Sequence, residues 1–436
     1  MHPLQRIVKL QKEGKKVGIY SACSASEYVL EAVMEKAKKT NSICLIESTS
    51  NQVNQYGGYT GMLPRDFYNF CLNLANKIGL DKSQMILAGD HLGPLTWTHL
   101  PEIEAMKEAE TLVREYIKAG FTKIHIDTSM RVADDDTSVM LDTNVIAARG
   151  AKLAWACEEE YQELLKGNPN AVAPVYIIGS EVPIPGGAQE DEGLHVTTPE
   201  DFRATVNSFK SEFDKYNLDS AWSRVIAVVV QPGVEFGDVD LDEYNRAAAT
   251  KLVEALNDYD TLVFEGHSTD YQTVKCLTEM VEDGIAILKV GPGLTFAARE
   301  AMFALAFMED ILLGDSNKKS NFINVLEETM LEEPKNWAKH YHGSDDLLKF
   351  KRKYSFSDRC RYYLPNEKVS IALKQMISNL REVEIPLSLL SQFMPIQYTK
   401  VRNDEIKLDP EELIKSRVTD MIDEYMSASK QVEIKL

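Results

Sequence analysis

The chain has 436 residues, 44% of them apolar and 26% charged, the balance of a globular protein with a sizeable core. Its 48 Lys and Arg against 67 Asp and Glu leave a net charge of −19, which excludes nucleic acid and anionic membrane as partners of the whole molecule but not a local basic pocket for one small anion. The 6 cysteines form no CxxC pair, no apolar run reaches membrane-spanning length, and the start MHPLQRIVKLQKEGKK lacks the apolar core of a secretory signal, so a reduced, cytoplasmic protein is expected.

Short apolar, β-branched runs recur along the chain. They are VGIYSA from Val17, ICLIES from Ile43, MILAGD from Met85 and KIHIDTS from Lys123. VYIIGSE from Val175, RVIAVVVQ from Arg224, LVFEGH from Leu262 and AILKVG from Ala286 follow. Apolar on both faces, they suit strands buried between helices. The intervening segments are helical in pattern. In LPRDFYNFCLNLANKIG, Phe67, Phe70, Cys71, Leu74 and Ile78 make one stripe, opened at Pro64 and stopped at Gly79. EAMKEAETLVREYIKAG repeats the design with Met106, Ala109, Val113, Tyr116 and Ile117, and ends at Gly120.

Strand and helix alternating in this way predict parallel βαβ units, closed as a (β/α)₈ barrel over residues 1–313. No glycine-rich dinucleotide loop follows the first strand, where YSACSASEYVLEA stands, so a Rossmann fold is disfavoured. Gly314 to Ser320 is a polar break, and residues 314–436 read as a helical C-terminal extension packed on the barrel.

Each apolar run passes into polar residues at its C-terminal edge, and in a barrel all these edges open on one face. Glu47, Ser50 and Asn51 follow the second run, Asp90 and His91 the third, and Asp127 the fourth. Glu181 follows the fifth, Gln231 the sixth, Glu265, His267, Ser268 and Thr269 the seventh, and Lys289 the eighth. Any one acidic residue after a strand is most often a helix cap. His125 inside KIHID reads as a core or interface histidine, HVTTPEDF from His195 as a loop and cap, and KHYHG as surface. The joint occurrence exceeds what capping requires. His91, Glu265 and His267 offer ligands for zinc, manganese or nickel, and Glu265 and His267, two apart, point the same way on a strand. Such an ion acts as a Lewis acid on a carbonyl, with Asp90, Asp127 and Glu181 as proton-transfer candidates. Phosphate capture is expected at the last two strand ends, from the hydroxyls of GHSTDYQ, the backbone around Gly291 and Gly293, and Arg299.

IESTSNQVNQYGGYTGM, AGDHLGP, GFTKIHIDTSM, GSEVPIPGG, VVVQPGVEFG, EGHSTDYQT, KVGPGLTFAAREA and SDRCRYY together resemble the Z-type subunit family of tagatose-1,6-bisphosphate aldolase. The resemblance covers nearly the whole chain. It implies a (β/α)₈ barrel related to class II aldolases, active in tagatose, galactitol and N-acetylgalactosamine breakdown. It also implies one of two roles: a partner of a separate catalytic Y-type aldolase subunit, or a C4 epimerase interconverting fructose and tagatose, free or 6-phosphorylated. An oligomer is expected. Relatives have been labelled tagatose-6-phosphate kinases, yet no glycine-rich phosphate loop with a following lysine is present. Compared with catalytic class II aldolases, Asp90-His91 matches the catalytic aspartate and first metal histidine. Their seventh-strand His-Gly-Gly-Ser is replaced by Glu265-Gly266-His267-Ser268, and their sixth-strand histidine has no counterpart beside Gln231. An altered His/Glu metal set is therefore the expectation.

Overall fold

Residues 1–180 and 195–434 are described by a computed structural model, so Glu181 lies outside the described residues. Each of the eight apolar runs forms the body of one strand: β1 Ile19–Cys23, β2 Cys44–Thr49, β3 Met85–Leu92, β4 Lys123–Ile126, β5 Val175–Ile178, β6 Val225–Val230, β7 Val263–Gly266 and β8 Ile285–Val290. Every neighbouring pair is parallel, and β1 closes on β8 with Ile19 opposite Ile287, giving the expected closed barrel.

The helices run antiparallel to the strands and end where the sequence gives them a stop. Gly79 (φ 73°) and Gly120 (φ 103°) adopt the left-handed conformation that ends Pro64–Ile78 and Glu102–Ala119. Thr198 accepts the Asp201 N–H at 3.1 Å and caps Pro199–Lys215, the role expected for HVTTPEDF. Among the described residues no helix is long and apolar enough to cross a membrane.

The lower barrel interior is apolar. Ile19, Leu45, Ile86, Val175, Ile177, Val229, Val263 and Ile287 form one cluster with Leu4, Ile7 and Val8 of helix Pro3–Lys12, which seals that end. The charged N-terminal stretch is thus an amphipathic plug.

Beyond the polar break at Gly314 come the expected helices, among them Phe322–Glu332, Asp345–Tyr354, Glu367–Val383 and Pro410–Ser429. The last of these is no outer layer. It packs against helices Glu27–Thr40, Val274–Glu282 and Pro292–Leu313 and touches β1, so it occupies a place in the helical ring itself. The Tyr425 hydroxyl donates to Thr269 O at 2.6 Å, Gly18 N donates to Ser429 O at 2.8 Å, and Gln431 Nε2 donates to Ile43 O at 2.6 Å. The chain's end is stitched to β1, β2 and the β7 loop.

Candidate active site at the barrel mouth

Above the apolar layers the barrel interior turns ionic. Glu47 of β2, Lys123 of β4, Glu265 of β7 and Lys289 of β8 are all buried. Lys123 pairs with Glu47 and with Glu265 at 2.7 Å, and Lys289 pairs with Glu47 and with Asp90 at 2.6 Å. Burial alone pushes Glu265 up, but the two ammonium groups outweigh it and hold its carboxyl well below the usual range. Burial acts to lower Lys289, and the carboxylates of Asp90, Glu47 and Glu265 together hold it charged.

Such a network tolerates no missing member, because one removed charge leaves its partners buried and uncompensated. Lys123→Met is therefore expected to destabilise the fold by about 3–5 kcal/mol, read from urea unfolding. A loss below about 1 kcal/mol would mean that Glu47 and Glu265 are not held by this lysine.

Three histidines crown this layer. The rings of His91, His125 and His267 stand 5.2, 5.0 and 5.1 Å apart pairwise, a near-equilateral triangle. Consecutive strand residues normally face opposite sides, yet Asp90 and His91 both line the mouth. The reason is local: β3 shifts register against β4 between Gly89 and Leu92, and His91 takes a left-handed φ of 48°. Ser268, just past β7, has φ 52° and also lines the mouth. Non-glycine residues held there store strain, a mark of functional positions. Gly93 is dictated by the same turn, since a Cβ on it would lie 1.7 Å from the Asp127 carbonyl oxygen.

Each histidine is oriented by a carboxylate. Asp127 Oδ2 lies 2.7 Å from His91 Nδ1, and Asp127 Oδ1 accepts from Ser129 N at 3.1 Å and Ser129 Oγ at 2.7 Å. Burial raises Asp127, but its hydrogen bond with His91, the nearby His91 ring and the Ser129 hydrogen bond prevail and bring its pKa to about 2. Asp90 Oδ1 lies 2.8 Å from His125 Nδ1. Assigning the Nδ1 proton to that bond leaves His125 Nε2 as a buried nitrogen with no partner. His267 Nε2 lies 3.1 Å from Glu265 Oε1, and burial lowers its pKa to about 3, which keeps the imidazole neutral.

Ligand atoms of Asp90, His125, Glu265 and His267 all lie within 4.8 Å of one another. Two imidazoles with two carboxylates are a donor set for zinc, manganese or nickel. His125 Nε2 has no hydrogen-bond partner, and with the Nδ1 proton given to Asp90 it carries a lone pair, the arrangement in which a carboxylate fixes the far nitrogen of a metal-binding histidine. The residues fit a divalent cation. A second group, Cys23 with Glu47 and Asp90, fits less well, since burial pushes the Cys23 thiol up and away from the thiolate that binds a metal.

The family profile described as D-tagatose-1,6-bisphosphate aldolase subunit GatZ/KbaZ-like matches residues 4–430. This chain belongs to the GatZ/KbaZ-like family. It is 44% identical to a probable tagatose 6 phosphate kinase from Sinorhizobium meliloti 1021, with a TM-score of 0.86 over 94% of this chain and 100% of that one. The fructuronate-tagaturonate epimerase UxaE from Cohnella laeviribosi aligns at 12% identity and TM-score 0.49, covering 95% of this chain and 81% of that one. The YdjI aldolase from Escherichia coli K12 aligns at 12% identity and TM-score 0.42, covering 87% of this chain and 96% of that one. At scores this low, the last two carry no argument about activity.

The mouth of this GatZ/KbaZ-like chain gathers Asp90, His91, His267, Ser268, Lys289, Asn51 and Gly291 as lining residues, with Glu265 beneath. Asp127 stands behind His91. Other candidates are engaged elsewhere. Gln231 Oε1 accepts from Gly233 N and Val234 N at 2.9 and 3.0 Å, shaping its own loop. Thr269 donates to Lys289 O at 2.7 Å and is fully buried; Ser50 is fully buried too, its hydroxyl unpartnered. Arg299 turns to Asp358 at 3.2 Å and lies 4.0 Å from the Phe296 ring centroid, so it does not line the mouth. His125 joins the ligand group, whereas its sequence context predicts a core or interface histidine and puts His91 in that place. The signal was present: Lys123 and His125 alternate on one face of β4, and Asp127 follows at the same spacing just past its end.

Proposed function

We propose that this chain is a catalyst in its own right, a divalent-metal-dependent C4 epimerase interconverting fructose 6-phosphate and tagatose 6-phosphate. The observation that carries this reading is the group of ligand atoms from Asp90, His125, Glu265 and His267, with His125 Nε2 left unpartnered, in a mouth lined by buried charges. A mouth kept only as a relic would be expected to lose such groups, because buried charges are costly unless used. The relative described as a probable tagatose 6 phosphate kinase supports the choice of sugar.

Asp90, His125, Glu265 and His267 would hold the ion, of zinc, manganese or nickel. When bound, it supplies Lewis acidity to the ketose oxygens. The chain's own residues handle protons and position. His91 in its neutral form, backed by Asp127, takes the proton of the C4 hydroxyl. The C3–C4 bond then breaks, its electron pair forming an enediolate and leaving C4 as an aldehyde. Lys289, charged and at the mouth, faces the negative charge that develops. Rotation of the aldehyde and re-formation of C3–C4 on its other face invert C4, and His91 returns the proton.

The family's description as an aldolase subunit favours a second reading, a partner that activates a separate Y-type aldolase. One assay separates them. The purified chain alone, given fructose 6-phosphate with Mn²⁺, Ni²⁺ or Zn²⁺, is expected to form tagatose 6-phosphate, and chelation to stop it. No product with any ion, together with activation of a Y-type aldolase, establishes the subunit instead.

A further inference from the structure

We propose that Arg361, from the C-terminal helical region, is the anion seat of this mouth and takes the phosphate of a phosphorylated ketohexose. The inference deepens the proposed function and rests on it for the sugar, not for the seat.

In a barrel of this kind the expected phosphate seat is the helix that follows the last strand. Here that seat is filled. Gly291 N and Gly293 N both donate to Asp270 Oδ1, at 2.9 and 2.7 Å, so a carboxylate of the chain itself occupies the N-terminus of Pro292–Leu313. Burial raises the Asp270 pKa to about 6, offset in part by those two N–H groups. A substrate anion must bind elsewhere.

Arg361 lies on the turn Arg359–Tyr362 and lines the mouth together with His91, His267 and Lys289. It also lines a cleft of about 850 Å³ between the barrel and the C-terminal helices, so its side chain is reached from both cavities. A guanidinium carries five N–H donors. Nη1 donates to the backbone oxygens of Ser357 and Asp358, and Nη2 to the Tyr362 hydroxyl at 2.9 Å. Two donors remain unused by any described residue.

Among the described residues most buried cations are paired, and Arg361 and its neighbour Arg359 are not. Lys123, Lys289, Arg149, Arg224 and Arg299 are buried or nearly so, and each has a carboxylate within ion-pair distance. Arg361 has none among the described residues. The acids whose charges it feels, Asp270 and Asp358, are already engaged, the second by Arg299 at 3.2 Å and Thr295 at 2.6 Å. Three hydrogen bonds and the Tyr362 ring, 4.4 Å away, fix the guanidinium in place. Tyr59 packs on Tyr362 edge-on at 4.7 Å and completes the wall. A rigid, uncompensated guanidinium on a cavity wall, in a chain of net charge −19, is a phosphate receptor by chemistry.

The test is calorimetric titration of the full chain with fructose 6-phosphate and with fructose. The wild type is expected to bind the phosphorylated sugar at least about tenfold more tightly, and Arg361→Gln to lose that preference while its fructose affinity stays unchanged. Arg361→Gln with the wild-type preference overturns the proposal, as does a wild type that does not distinguish the two sugars. Crystals of the full chain soaked in inorganic phosphate read the seat without a variant: phosphate on Arg361 supports it, and phosphate at the N-terminus of Pro292–Leu313 overturns it. Preferential binding without turnover leaves the seat standing and counts against the epimerase instead.

Discussion

His267→Ala is expected to empty the mouth of its cation and abolish turnover while leaving the barrel folded. His267 supplies one of four ligand atoms within 4.8 Å of one another, and its imidazole is kept neutral by burial, so its lone pair is available at any physiological pH. Loss of a direct ligand should weaken metal binding beyond the roughly 10–100-fold typical of an outer partner. His91→Ala supplies the contrast. That ring is tied to Asp127 at 2.7 Å and is outside the four-donor group. It should keep its metal and lose roughly 10²–10⁴-fold in turnover, the range for a proton-transfer group. Metal analysis after dialysis, beside steady-state rates, reads both variants. If His267→Ala retains full metal, or His91→Ala loses it, the ligand assignment is wrong.

Removal of residues 410–436 is expected to leave no folded barrel. Leu413, Ile414, Val418, Met421, Ile422, Tyr425 and Met426 of the last helix are all buried. At about 1.5–3 kcal/mol for each such side chain, their loss is on the order of 10 kcal/mol, as large as the whole stability of an ordinary domain. The deletion also bares the faces of Glu27–Thr40, Val274–Glu282 and Pro292–Leu313 that this helix covers. Tyr425→Phe is the mild counterpart: it removes the bonds to Thr269 but not the packing, and should lower stability by about 1 kcal/mol. Circular dichroism and melting of both proteins read the outcome. A truncated chain that melts cooperatively near the wild-type temperature would show the helix to be dispensable.

The barrel was legible because its physics is local and periodic. Runs such as VIAVVV can be buried on both faces only between helices, and the stops at Gly79 and Gly120 are set by left-handed caps that glycine takes without strain. The place of Pro410–Ser429 was not legible. Its pattern says only that it is a helix, and nothing within 20 residues reveals that its partners are β1 and the Thr269 loop, over 150 positions away.

The site divides in the same way. Asp90, His91, Glu265 and His267 stood out because strand ends converge in a barrel, whatever the loops do. His125 was hidden by its apolar neighbours Ile124 and Ile126, although strand alternation sets it on the interior face with Lys123. Arg299 and Gly291 read as phosphate ligands because sequence cannot reveal competition: Asp358 had already claimed the first and Asp270 the second. Arg361 lies 72 residues beyond Lys289 in the chain and meets it only through the fold of the C-terminal helices.

The central claim is that Asp90, His125, Glu265 and His267 enclose one divalent cation. Anomalous diffraction from crystals of the full chain grown with Mn²⁺ or Zn²⁺ tests it most directly. The account predicts a single strong peak among those four side chains, within about 2.0–2.2 Å of His125 Nε2. A mouth with no such peak, its carboxylates bridged by Lys123 and Lys289 alone, would contradict it.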